Sequence, residues 1–122
     1  MNILVWVSLG GAIGASLRYF SSSYLKYIFP NFPLGTLFVN ILGSFLIGLL
    51  MSYLQDKNIS ENFIKYFIII GLLGSFTTFS TFSYEAIDLF NNRKFLTSLI
   101  YILFSVIGCL FSAFLGYNIN KI

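Results

Sequence analysis

The sequence predicts an all-α membrane protein with four transmembrane helices per subunit. Three observations predict it: 57% of the 122 residues are hydrophobic against 9% charged, the mean hydropathy is +0.87, and four long apolar stretches are separated by short polar connections. Such a composition does not keep a folded surface in water, whereas it suits a chain whose solvent is lipid.

The four stretches run from about Ile3 to Phe29, Leu34 to Leu54, Phe63 to Phe90 and Phe95 to Tyr117. The first has neither the basic n-region nor the small-residue cleavage site of a signal peptide, and is read as a span. The second, as a helix of about 21 residues rising 1.5 Å each, covers roughly 31 Å, close to the hydrocarbon thickness of a bilayer. Between the spans stand Pro30 and Pro33 around Asn31, then Gln55 to Asn62, then Asn91 to Lys94, all turn-forming or polar. Connections this short make neighbouring spans antiparallel, so residues 1–122 are expected to form one four-helix domain. Small residues four apart, Gly10 and Gly14 in the first span and Gly108, Ser112 and Gly116 in the fourth, allow close helix packing in lipid.

Four spans place both termini and the second connection on one side, with Lys57, Lys65 and Lys121; the other side carries Lys26, Arg93 and Lys94, and Arg18 if it is counted. Orientation normally follows the Lys and Arg excess, and this chain has almost none. Either one well-placed lysine decides, or the chain inserts both ways up, which permits an antiparallel, dual-topology homodimer.

Several function classes are excluded. With no His, the commonest catalytic base and metal ligand is missing, and no nucleotide loop or zinc pattern occurs, so an enzyme is not expected. The net charge of +3 is spread out, without the basic cluster of a nucleic-acid binder, and suits lipid headgroups. The single cysteine, Cys109, lies in an apolar run and is read as packing.

The third span is polar where it should not be. Ser75, Thr77, Thr78, Ser80, Thr81 and Ser83 crowd together just after Gly71 and Gly74. One hydroxyl can bond back to its own helix; six together predict a broken helix, tolerated at membrane depth only when it is buried in protein or lines a cavity. Phe79 and Phe82, interleaved with the hydroxyls, share a face and offer positive ring edges to a small anion, or simply pack. Asn40, midway along the second span, serves either a helix–helix hydrogen bond or an ion. Ser98, Tyr101, Ser105 and Ser112 fall on one stripe of the fourth span. Glu85 and Asp88 come late in the third span, and no acid lies before Gln55, whereas a cation path usually carries a mid-membrane carboxylate. Donors without carboxylates point to an anion.

The segments GGAIGASLRY (Gly10 to Tyr19), GTLFVNILGSF (Gly35 to Phe45) and GLLGSFTTFSTFSYE (Gly71 to Glu85), in this order and on four spans, resemble the Fluc (CrcB-type) fluoride channels over nearly the whole chain. The resemblance implies two inverted subunits enclosing two fluoride pores, with the third helices broken near the membrane centre. It implies that Phe79 and Phe82 are the ring-edge pair, Asn40 the pore amide, and Tyr101 and Ser105 the polar track of the fourth helix. Cys109 stands one turn on, where that track would carry a hydroxyl, and a thiol is the weaker donor. A central sodium ion on backbone carbonyls would fall at Gly74 and Thr77. Arg18 matches a basic residue of the first motif, placed at the pore mouth as an anion attractor or acting as a structural anchor.

The expected activity is therefore passive, fluoride-selective export across the cell membrane, lowering cytoplasmic fluoride. An interior-negative potential, worth about 2.3 kcal/mol per charge per 100 mV, drives the anion outward. The alternatives are a small multidrug-type four-helix exporter, which would need an early membrane carboxylate, and a non-conducting membrane assembly subunit.

Overall fold

A computed structural model describes residues 2–57 and 62–121, and among them every regular element is helical. Helix α1 is Ile3–Ile28 and α2 is Leu34–Lys57. Helix α3 covers residues 63–76, π-helical over Phe63–Leu73 and continued by Gly74–Phe76. Helix α4 is Phe79–Asn91, and α5 is Phe95–Asn118 with a closing 3-10 turn, Ile119–Lys121. Taken as Ile3–Ile28, Leu34–Gln55, Phe63–Asn91 and Phe95–Asn118, the helices are long and apolar enough to cross a membrane four times, as a multi-pass membrane protein requires. Within the expected Gln55 to Asn62 connection, residues 58–61 lie outside the described residues. Helix α2 continues past Leu54, where the apolar run stops, to Lys57. Backbone hydrogen bonds do not need apolar side chains, and Gln and Lys are good helix formers.

Glycines set how the helices meet. A Cβ on Gly10 would overlap the Phe67 carbonyl oxygen, and one on Gly14 the Leu72 carbonyl oxygen, so α1 lies directly on the α3 backbone. Likewise a Cβ on Gly48 would overlap the Ala113 carbonyl and one on Gly116 that of Phe45, which locks α2 to α5. Gly14→Val is therefore expected to destabilise the protein by about 3 kcal/mol, the upper end of the range for overpacking, because the clash is with backbone that cannot rotate away. A thermal melt in detergent checks it; an unchanged midpoint would contradict the packing.

The third span is broken, at Thr77–Thr78 rather than at a glycine. Gly74 is still helical (φ −62°, ψ −30°), whereas Thr77 (φ −90°, ψ 158°) and Thr78 (φ −152°, ψ 121°) are extended. Gly71 serves packing instead, since a Cβ there would stand 2.8 Å from the Val7 carbonyl oxygen. The chain restarts because the Thr78 hydroxyl accepts from the Thr81 backbone N–H (3.2 Å), an N-cap for α4. At the other end of α4, Arg93 takes a left-handed conformation (φ 62°). The N–H of Lys94 then reaches the Leu89 carbonyl (2.9 Å) and that of Arg93 the Phe90 carbonyl (3.1 Å), closing the helix and turning it into α5.

The buried cluster is small: Phe82, Ala86, Leu89 and Tyr101, with Phe32 and Leu37 against it. Much of the exterior is apolar, including Leu96, Phe104, Ile107, Leu110 and Phe114 on α5, which is the expected surface of a protein solvated by lipid.

Candidate functional site

Helices α2, α4 and α5 and the break between α3 and α4 enclose an open cleft of about 330 Å³, lined by Asn40, Ser44, Thr77, Thr78, Phe79, Phe82, Ser105, Val106, Cys109 and Leu110. Its position follows from the break. Extended backbone cannot bond within a helix, so Thr78 needs partners from elsewhere.

Asn40 provides them. The Thr78 N–H donates to Asn40 Oδ1 (2.7 Å), and Asn40 Nδ2 donates to the Thr78 carbonyl (3.0 Å). The two bonds fix the orientation of the amide, since the backbone donor can only face its oxygen. They use one Nδ2 hydrogen and leave the other over. Because Thr78 N–H turns to Asn40, the Gly74 carbonyl loses the donor that a continuing helix would have supplied; the last helical bond is Thr77 N–H to the Leu73 carbonyl, 3.2 Å. Gly74 is also exposed in the single chain.

Arg18 reaches across from α1, its Nε donating to the Ser75 carbonyl at 2.9 Å. Ser75 is in the last turn of α3, where unpaired carbonyls concentrate partial negative charge, so the guanidinium meets a helix C-terminus beside the break. Its geometry is that of an anchor on the broken helix.

The six hydroxyls of the third span divide by partner. Thr77 Oγ1 and Ser83 Oγ bond back to the carbonyls of Leu73 (3.1 Å) and Phe79 (2.9 Å). The Thr78 hydroxyl lies 3.2 Å from those of Ser80 and Thr81. Ser75 Oγ would stand 3.3 Å from a Cβ on Gly11, at the contact with α1. Phe79 and Phe82 do sit side by side, ring centroids 5.5 Å apart at 52°. Their surroundings differ: Phe82 is 8% exposed and Phe79 76%. One ring belongs to the core and the other stands out from this chain at the mouth of the cleft.

The stripe of the fourth span separates in the same way. Ser98 Oγ donates to the Ala86 carbonyl (2.7 Å), tying α5 to α4. Tyr101 is fully buried behind Phe82, centroids 5.3 Å apart, and its hydroxyl donates to Glu85 Oε1 (3.2 Å). Ser105 lines the cleft, 4% exposed, and its Oγ has no partner among the described residues. Ser112 faces another space, an apolar groove with Phe38, Ile41 and Phe45. The structure thus gathers Asn40, Thr77, Phe79, Phe82 and Ser105 at one cleft and leaves Tyr101, Gly74 and Arg18 next to it. Ser44 and Glu85 join this set without having been expected there, Ser44 in the cleft wall and Glu85 as the partner of Tyr101. Ser44 follows Asn40 by four residues and Glu85 follows Phe82 by three, each about one helical turn, and those spacings could have found them.

Residues 5–117 match the family described as CrcB-like protein, Camphor Resistance (CrcB). A protein of Campylobacter jejuni (strain 81116) named fluoride-specific ion channel FluC is 50% identical over 122 residues, 99% of each chain. A protein of the same name from Aquifex aeolicus is 43% identical, covering 99% of this chain and 98% of its own. Fluoride-specific ion channel FluC 1 of Methanosarcina acetivorans is 41% identical over 95% of this chain and 88% of its own.

Proposed function

The chain belongs to the CrcB-like family, and from that premise we propose that it is a fluoride-selective passive channel that exports fluoride and lowers its cytoplasmic level. One observation carries the reading furthest: the broken third span opens onto a cleft furnished with donors and ring edges and without a carboxylate among its lining residues. Fluoride gives up its water only to groups that replace it, and it passes on only if no single group holds it tightly. The spare Nδ2 hydrogen of Asn40, the unpartnered Ser105 hydroxyl and the edges of Phe79 and Phe82 are such modest donors in succession. Tyr101, one turn before Ser105, backs the Phe82 ring, with its own hydroxyl given to Glu85.

The functional unit we propose is an antiparallel homodimer with two pores. Broken backbone at membrane depth needs a protein cover, and in the single chain Gly74 and the Phe79 ring are exposed. An inverted second copy, permitted by the even charge distribution, would cover both. A sodium ion held by the carbonyls of Gly74 and Thr77 at the dimer centre fits the oxygen-only chemistry there, helped by the Gly74 carbonyl being bypassed by Thr78. The ion would bind the two breaks together; Arg18 holds the carbonyl of Ser75, which lies between Gly74 and Thr77 in the chain.

The test is release of fluoride from loaded liposomes containing purified protein, read with a fluoride electrode, with chloride as comparison. Fluoride should leave quickly and chloride be retained. Release no faster than from empty vesicles would overturn the channel, and exchange of organic cations instead would favour an exporter. In the same vesicles an impermeant amine reagent should reach the C-terminal Lys121 in about half the copies; reaction of all or none would remove the antiparallel arrangement.

A further inference from the structure

Cys109 is the only thiol in the chain, and the proposed conduction path leaves it without a role. It is half-buried and lines the cleft together with Ser44 and Ser105. It follows Ser105 by four residues, so the two occupy the same face of α5. The Ser105 hydroxyl beside it, 4% exposed and unpartnered among the described residues, points to a polar species that enters the cleft to satisfy it.

We propose that Cys109 is a modification site at which a small thiol-directed electrophile closes the path through the cleft. The proposal rests on that cleft being the fluoride path. A thiol that is half-buried and lines an open cleft of about 330 Å³ is within reach of a small neutral reagent, whereas a thiol sealed in packing is inert. With methyl methanethiosulfonate, the Cys109 thiolate attacks the sulfenyl sulfur. A Cys109 Sγ–SCH3 bond forms, the bond between that sulfur and the sulfonyl sulfur breaks, and methanesulfinate leaves with the electron pair; the thiol proton goes to water. The product replaces a weak S–H donor by an apolar cap directly after Ser105. A fluoride ion at that point meets lost volume and a missing donor together, and stripping its water without replacement is prohibitive.

The test uses the full-length protein in fluoride-loaded liposomes, treated with methyl methanethiosulfonate; incorporation is read by intact-protein mass and flux by electrode. Each preparation is compared with its own untreated rate, and Cys109→Ser, which keeps a donor and cannot react, is run alongside. We expect one methylthio group per chain and fluoride release reduced to that of empty vesicles, reversed by dithiothreitol, with no response in Cys109→Ser. Full modification with undiminished flux would overturn the proposal, as would failure of the thiol to react in a protein that conducts. An equal loss of flux in treated Cys109→Ser would also overturn it, since the reagent would then act elsewhere. Absence of flux before treatment would overturn the channel reading itself and this proposal with it.

Discussion

Asn40→Asp is expected to reduce fluoride release to the level of empty vesicles. Aspartate has nearly the same shape and can still accept from the Thr78 N–H. It cannot donate to the Thr78 carbonyl, which the amide now does at 3.0 Å, so two oxygens would face each other across the break. It also sets a negative charge on the cleft wall. At about 4 Å and an effective dielectric constant near 20, a second negative charge is opposed by about 4 kcal/mol, roughly a thousandfold in occupancy. Both effects act in the same direction. Liposome flux from the purified variant, alongside its elution in detergent, checks this; wild-type flux would show that Asn40 lies off the path and away from the break.

Phe79→Ile and Phe82→Ile form the second pair, and the structure separates their consequences. Both replace a ring edge by a branched aliphatic group, and each should slow fluoride release by about two- to tenfold, since one ring-edge contact is worth about 0.5–1.5 kcal/mol. Phe82 is buried against Tyr101, so Phe82→Ile should also lower stability, by about 1–3 kcal/mol. Phe79, 76% exposed in the single chain, should leave the fold of one subunit intact. Slow flux in a Phe79→Ile protein that still elutes from detergent as the unaltered protein does would tie the loss to the ring. Wild-type rates in both variants would remove the rings from the pathway.

The fourth span shows where reading the sequence runs out. Its period correctly puts Ser98, Tyr101 and Ser105 on a buried face, but period cannot say which hydroxyl is already engaged. Ser98 is taken by the Ala86 carbonyl and Tyr101 by Glu85, while Ser105 keeps its hydroxyl free among the described residues. Ser112 turned out to face the α2 groove instead, because Gly108 and Gly116 bring α5 so close to α2 that the stripe divides along its length. The break falls at Thr77–Thr78, within the run of hydroxyls that follows Gly71 and Gly74, whereas Gly71 itself is needed for contact with α1.

The number of spans, their short connections and the concentration of hydroxyls and rings in the third were settled by sequence alone. Those properties are local: hydrophobic length, turn residues and polarity act on each segment without regard to the others. Tertiary structure decided what each polar group does. Asn40 meets Thr78 and Arg18 meets Ser75 across 38 and 57 residues of chain. In hydrocarbon a donor either finds a partner or waits for an ion, and only the packed helices determine which partners lie within hydrogen-bonding distance.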